Sequence, residues 1–331
     1  MGLQTTYRFR IYPNVAQTEK IEKNFGAWRF VYNYFREKRI KAYENREITP
    51  NWFQQCFELT QLKQQLPWLR EAESTSLQLA LKNLDFAFDR FFDWRKKEKK
   101  VGFPRKKRKH EFRQSYTSRN TDNGIRVLDN KHVRLPKLGR VRCAVSKAVY
   151  GVIREATVTR SGSGKYFVCI RCEIDEEPLP RTGAVAGLAI SNDGLIVDSN
   201  GNEHTFRSLS FIDQDVEHFK LMLARKPKGS ANWLKCMKEF SAFFEKKQNQ
   251  TTDDLNKITT QLIREYDVIY FPMSQLESGH AGQFIRILDY KAKRYGKRLE
   301  IVSAIQVDSK TSSDQVHDLA KEVLQKGLQI A

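Results

Sequence analysis

The residues best suited to chemistry in this chain are cations. Arg95, Lys96, Lys97, Lys99, Lys100, Arg105, Lys106, Lys107, Arg108, Lys109 and Arg113 crowd one stretch, against only Glu98 and Glu111. Gly102 and Pro104 stop any helix inside the run, so the charges cannot all line one solvated helix face. A segment of this kind joining two ordered regions suits tracking along phosphates. The whole chain agrees: 331 residues carry a formal net charge of +19, and a long polyanion is the simplest partner for that excess. No apolar run approaches a membrane span, and the N-terminus lacks the apolar core of a secretion signal.

Metal and nucleophile chemistry has weaker candidates. Cys169 and Cys172 form a C-x-x-C, but no second pair exists to complete a zinc site. They also fall in an alternating stretch, 166–172, where an offset of three puts two thiols on opposite faces of a strand. With Cys56, Cys143 and Cys236 they make an odd, scattered set, as expected of packing cysteines in a reducing cytoplasm. Asp193, Asp198, Asp308, Asp314 and Asp318 read as turn and capping acids, and His280 and His317 lack ligand partners at useful spacing.

Three regions must position these groups. A short strand ends at Pro13. From Val15 to about Lys100 the apolar spacing is helical, with breaks at Thr49-Pro50 and Pro67. Ile21, Phe25, Trp28, Val31, Tyr32 and Phe35 form one stripe; Phe53, Phe57 and Leu62 form a second. A third helix, capped by Ser74, carries Leu77, Leu81, Leu84, Phe88, Phe91 and Phe92. From Phe112 to about Ile174 short alternating runs and Asn-Gly-type turns predict a small β-barrel, which the first strand would complete. After Pro178 and Pro180, strands and helices alternate as in an α/β layer with a mixed sheet.

At this point the residues resemble a known family. Tyr7-Arg8-Phe9-Arg10-Ile11-Tyr12-Pro13, Gln17, Arg29-Phe30-Val31-Tyr32-Asn33 and the stretch 79–92 are similar to the opening of transposon-encoded TnpB (OrfB) proteins, relatives of type V CRISPR effectors. Pro104-Arg105-Lys106-Lys107, Leu135-Pro136-Lys137-Leu138-Gly139, Gly229-Ser230, Tyr290-Lys291-Ala292, Tyr295-Gly296 and Ser309-Lys310-Thr311 continue the likeness through nearly the whole chain. The resemblance implies a multidomain α+β architecture. A wedge-like β-barrel (1–13 and 104–178) would hold an inserted helical recognition domain (14–103). An RNase H-like RuvC domain (179–331) would follow. It also implies a guide RNA and a double-stranded DNA target marked by a short flanking motif.

RuvC-type cleavage needs carboxylates holding two divalent ions. Matched to the family's three acid positions, this chain has no carboxylate at any of them. The first position falls on Ala189, in Gly187-Leu188-Ala189-Ile190-Ser191; the second falls on Pro272, or on Ser274 after a two-residue shift; the third falls on Val316. The cysteine-rich segment that follows Ser-Lys-Thr in the family is missing, so the resemblance implies that the catalytic magnesium and structural zinc are both lost. Asn256 stands where a family His is expected.

The resulting expectation is a catalytically inactive, RNA-guided DNA-binding protein of the TldR type. It would repress transcription by occupying promoter DNA, in the cytoplasm at the nucleoid. An active endonuclease using displaced acids and a guide-independent transposition accessory protein are the alternatives. The expected nucleic-acid contacts are Arg8, Arg10 and Tyr12; Arg29, Asn33 and Arg36; the 95–113 cations; Lys137; and Lys226, Lys228, Ser230 and Asn232.

Overall fold

The computed structural model describes residues 3–96, 102–109, 113–191, 194–206, 213–276, 281–303 and 313–330, with backbone alone for 94–96, 213–214, 313–314 and 330. The chain divides into two compact units, Gln4–Ile174 and Asp175–Ala331 with Met1–Leu3. It is a mixed α/β protein with helices and antiparallel strand pairs in both units.

The first unit opens with β1 (Leu3–Tyr12). Three helices follow, α1 (Val15–Glu44), α2 (Trp52–Gln65) and α3 (Ser74–Lys96), with a 3-10 turn, Pro67–Arg70, between the last two. Six strands complete it: β2 (Gln114–Arg119), β3 (Arg126–Asp129), β4 (His132–Leu135), β5 (Gly139–Ala144), β6 (Val152–Arg160) and β7 (Tyr166–Ile174). The sheet order is β2-β6-β7-β1-β5-β4-β3, so the first strand in sequence lies in the middle. The pairs β2–β6, β6–β7, β1–β5, β5–β4 and β4–β3 are antiparallel.

Local chemistry fixes the helix starts. Asn14 and Gln17 make a capping box at α1: the Asn14 carboxamide accepts from the Gln17 N–H at 2.8 Å, and Gln17 answers at 3.1 Å. Asn51 and Gln54 repeat the arrangement at α2. At α3 the expected Ser74 cap is replaced by Glu73. Its carboxylate accepts from the N–H groups of Thr75 (2.9 Å) and Ser76 (2.6 Å), which a longer acid can reach and which also suits the positive helix end.

One expected stripe is turned outward. Phe53 and Phe57 are 73% and 68% exposed, while α2 buries Gln55, Leu59 and Leu62. The reason is polar. Gln55 accepts two hydrogen bonds from the buried Arg39 guanidinium, at 2.8 and 3.1 Å, and Arg39 also pairs with Asp85 at 2.9 Å. An arginine in a core must be fully partnered, so α2 rotates its glutamine face inward.

The second unit holds β8 (Val185–Ile190), β9 (Leu195–Asp198), β10 (Glu203–Thr205), α4 (Asp213–Ala224) and α5 (Ala231–Glu265). Then come β11 (Val268–Pro272), α6 (Ala281–Arg294), β12 (Arg298–Val302) and α7 (Ser313–Ile330). Its sheet runs β10-β9-β8-β11-β12; β8, β11 and β12 are parallel and β9 and β10 antiparallel to their neighbours. The mixed sheet is the one expected. One face packs on α5 and α6 through Leu188, Leu262, Phe271, Phe284 and Leu288, and the other on α7 through Ala189, Val197, Val316 and Val323. The approach of α7 is close: a Cβ on Gly187 would stand 2.3 Å from the Ala320 carbonyl oxygen, and one on Gly327 2.4 Å from the Tyr270 ring. Among the described residues no helix is long and apolar enough to cross a membrane.

Candidate nucleic-acid interface

β1 buries Thr5, Tyr7, Phe9 and Ile11 and exposes Thr6, Arg8, Arg10 and Tyr12, as strict alternation requires. The exposed set therefore shares one face of the sheet. Tyr12 pairs with Arg142 on β5, and Arg142 pairs with His132 on β4. The Arg10 and Arg142 guanidiniums stand 5.0 and 5.5 Å from the Tyr12 ring centroid. A ring held between two cations is shaped to meet a base and its phosphates together.

The same face continues across the neighbouring strands. Arg126, Arg134 and Arg140 sit directly opposite one another on β3, β4 and β5. Like charges in direct cross-strand register are destabilising. Asp129 is the acid that answers them, 3.3 Å from Arg140 and 3.0 Å from His132. Its hydrogen bond from the Lys131 N–H, with His132 and Arg140 alongside, holds its carboxyl below the usual range. Arg126, Arg134, Arg140 and Arg142 were not singled out from the sequence. The alternation that faces them outward is legible in Val133-Arg134-Leu135 and Arg140-Val141-Arg142, but the register that stacks them is not.

The α1 residues do a different job. Arg29, Asn33 and Arg36 lie at i, i+4 and i+7, one helix face. Asn33 makes a two-way clamp on Lys107, donating to its carbonyl at 2.9 Å and accepting from its N–H at 2.8 Å. Arg36 donates to the Pro104 carbonyl and Arg29 to the Gln114 side chain. These three thus hold the basic segment in place. Along it Arg105, Lys106, Arg108, Lys109 and Arg113 are exposed, with Lys106 paired to Glu37 at 3.0 Å and the Lys107 ammonium 5.5 Å from the Tyr32 ring. Tyr32 is a core residue, and the half-buried Trp28 stacks on it. The side chains of Arg95 and Lys96, and all of Lys97, Lys99 and Lys100, lie outside the described residues.

Lys137 is exposed at the β4–β5 turn with φ +61°. The Gln17 amide braces that turn from the helix side, donating to Leu138 and Arg140 carbonyls at 3.3 and 2.8 Å. In the second unit Ser230 caps α5, accepting from the Trp233 N–H at 3.2 Å, and Lys226 donates to the Met222 carbonyl at 3.0 Å. Lys228 and Asn232 are exposed beside them.

The positions of the expected acids form an apolar cluster. Ala189 and Val316 are fully buried against Val197, Tyr270, Val302 and Val323, and Pro272 ends β11 opposite Val302. Ser274 lies in the 3-10 turn Met273–Gln275, from which Gln275 clamps the Ile190 backbone at 2.7 and 2.9 Å. Asp198, expected on the surface, is buried. It accepts from the Tyr266 hydroxyl (2.6 Å), the Asn202 amide (2.9 Å) and the N–H groups of Asn200 and Asn202. Burial raises its pKa, but these donors together hold it below the ordinary value; burial and Asp198 push Tyr266 up to about 12. A carboxylate so fully engaged is a turn-fixing group. His317 pairs with Glu203 at 2.8 Å, Asp318 is exposed on α7, and Asp193, Asp308 and His280 lie outside the described residues, as does the Asp314 side chain. Among the described residues no cluster of His, Cys, Asp and Glu could hold a metal ion. The divalent ions that RuvC-type chemistry uses therefore do not fit the residues at Ala189, Pro272 and Val316. Cys169 and Cys172 pair with Thr157 and Ile153 and face opposite sides of β7 as free thiols.

Residues 1–47 match the family model of the OrfB/IS605 helix-turn-helix domain. A Streptomyces pristinaespiralis protein named "Putative RNA-guided DNA endonuclease" is 26% identical over 319 residues, 91% of this chain and 77% of that one. The chain is thus similar to TnpB/OrfB proteins. InsQ of Escherichia coli, which carries the same name, is 26% identical over 272 residues, 80% of this chain and 64% of InsQ. Virulence protein VsdF of Salmonella dublin is 34% identical over 109 residues, 30% of this chain and 89% of VsdF. A chain of a CRISPR-Cas12f ternary complex, seen by cryo-electron microscopy, matches 92% of this chain and 74% of its own length at 9% identity, with a TM-score of 0.30, too low to relate the folds. These names correct one expectation. Inactivity was inferred from Ala189, Pro272 and Val316, yet the Streptomyces protein and InsQ, aligned over most of the chain, are named endonucleases, which points to nuclease activity.

Proposed function

We propose that this chain recognises DNA under the direction of a guide RNA, the activity for which its relatives are named. The observation that carries the reading is the arginine array on the first sheet. Arg126, Arg134 and Arg140 in register, with Arg142 and Arg10 flanking Tyr12, cost folding energy that an anionic ligand returns. The segment held by Arg29, Asn33 and Arg36 adds a second phosphate-tracking surface. In this reading the protein grips the guide RNA and the heteroduplex through phosphates. It reads a short flanking motif in the duplex, and base pairing reads the rest. The guide RNA is a required partner, and DNA cleavage enters with the relatives' names rather than from any described residue.

The test is to purify the chain with its bound RNA, sequence that RNA, and measure binding and magnesium-dependent cleavage of matched and scrambled duplexes. The expected result is one defined RNA species with a variable 3′ segment. Matched DNA should bind at least roughly a hundredfold more tightly than scrambled DNA. Bulk cellular RNA with no preference for matched DNA would overturn the reading.

A further inference from the structure

We propose that a cleft between α1 and the Pro67–Arg70 turn takes a single unstacked nucleobase, laid against Trp68. The inference rests on the nucleic-acid reading above and adds a base-binding site to it. The cleft, about 380 Å³, is lined by Lys23, Gly26, Ala27, Trp68, Glu71 and Ala72. That volume is at the small end for ligand pockets and suits one flat ring. Its wall is Trp68, which remains 43% exposed while the edge-on ring of Phe30, 5.1 Å away, fixes its orientation. A rigid, half-open indole is a stacking platform for any base.

Gly26 is the second observation. It stands well inside the 30-residue helix α1, where glycine weakens a helix relative to alanine. Packing does not demand it: the nearest neighbour to a Cβ there would be the Arg29 guanidinium, 3.9 Å away. What an added methyl group would take is space in the cleft floor, which Ala27 and Ala72 also keep open. A position that sacrifices helix stability to keep a cleft open is a mark of a ligand site.

The rim supplies the polar contacts. The Lys23 ammonium and Glu71 carboxylate are 2.7 Å apart and both well exposed, so the pair opens at little cost. Opened, Glu71 can accept from an exocyclic amino group of cytosine or adenine, and Lys23 can donate to a ring carbonyl or an adjacent phosphate. The strong positive charge of the chain favours a base carried on a phosphate backbone over an aromatic side chain of a protein partner.

The test uses the full chain as purified and a fluorescein-labelled single-stranded oligonucleotide of mixed sequence, read by anisotropy, beside an abasic oligonucleotide of equal length. Gly26→Ala should melt at the same or a higher temperature yet bind several-fold more weakly. Trp68→Ala should lose roughly 5- to 100-fold in affinity with an unchanged salt slope, because a base contact and not a phosphate contact is lost. On the abasic oligonucleotide both variants should match the wild type. Variants that bind the mixed-sequence strand as the wild type does, or a deficit that persists on the abasic strand, would overturn the cleft while leaving guided binding intact. A wild-type chain that binds neither strand would overturn both.

Discussion

The two sheets have faces of opposite character. On the first, Arg126, Arg134 and Arg140 stand in register on an open surface, with Asp129 as their acid. On the second, Ala189, Val197, Val316 and Val323 close the face that α7 covers into an apolar seam. One surface accepts repulsion that an anion would relieve; the other gains from burial and has no place for charge. The proposed nucleic-acid partner therefore rests on the first sheet, while the second contributes packing at Ala189 and Val316.

The largest expected effect lies in the apolar seam. Val316→Asp would bury a carboxylate with no partner and should lower the unfolding free energy in urea by about 3 kcal/mol or more. A variant as stable as the wild type would mean that this end of the sheet tolerates acids, and the contrast would fail. On the arginine face the reverse is expected. Arg134, Arg140 and Arg142 changed together to Gln should leave stability equal or slightly higher. They should lower affinity for duplex DNA about tenfold or more and reduce the log–log salt slope by up to about 2.7. An unchanged slope would show that these guanidiniums meet no phosphates.

The smallest effect is a pH dependence at the other end of the second sheet. The Lys297 hydrogen bond, with the N–H groups of Thr182 and Gly183, pulls Asp267 from 3.8 to about 2. A depressed carboxylate pKa gives stability that is present above about 3.8 and lost as the pH falls towards 2. Asp267→Asn should be less stable at pH 7 in thermal melts, and its stability should fall less than the wild type's between pH 4 and pH 2. Parallel acid limbs for the two proteins would remove Asp267 from the account.

Much of this was legible because period and composition act locally. The alternation in Thr6–Ile11 puts Arg8, Arg10 and Tyr12 on one exposed face, and the breaks at Pro50 and Pro67 separate the helices where the structure does. What was not legible depends on partners distant in sequence. The Arg39–Gln55–Asp85 network turns Phe53 and Phe57 outward, although their spacing alone reads as core. The role of Asn33 as a clamp on Lys107 needs the basic segment to lie along α1. The arginine row needs the register of three strands. The absence of carboxylates at Ala189, Pro272 and Val316 was visible, but the step from there to missing activity is not supported by the relatives' names.

The placement of β1 bears on how the first unit assembles. The first strand to be made is the central one, flanked by β7 and β5, and all three helices intervene before either neighbour exists. Both of its edges must wait while α1, α2 and α3 collapse around their own aromatic core. Such long-range pairing is slow and leaves an unpaired edge exposed in the interval. Nascent chains of this protein should therefore pass through a stage in which the helices are folded and the arginine face, which β1 shares with β3, β4 and β5, is not yet built, so that face cannot form until translation has passed β5.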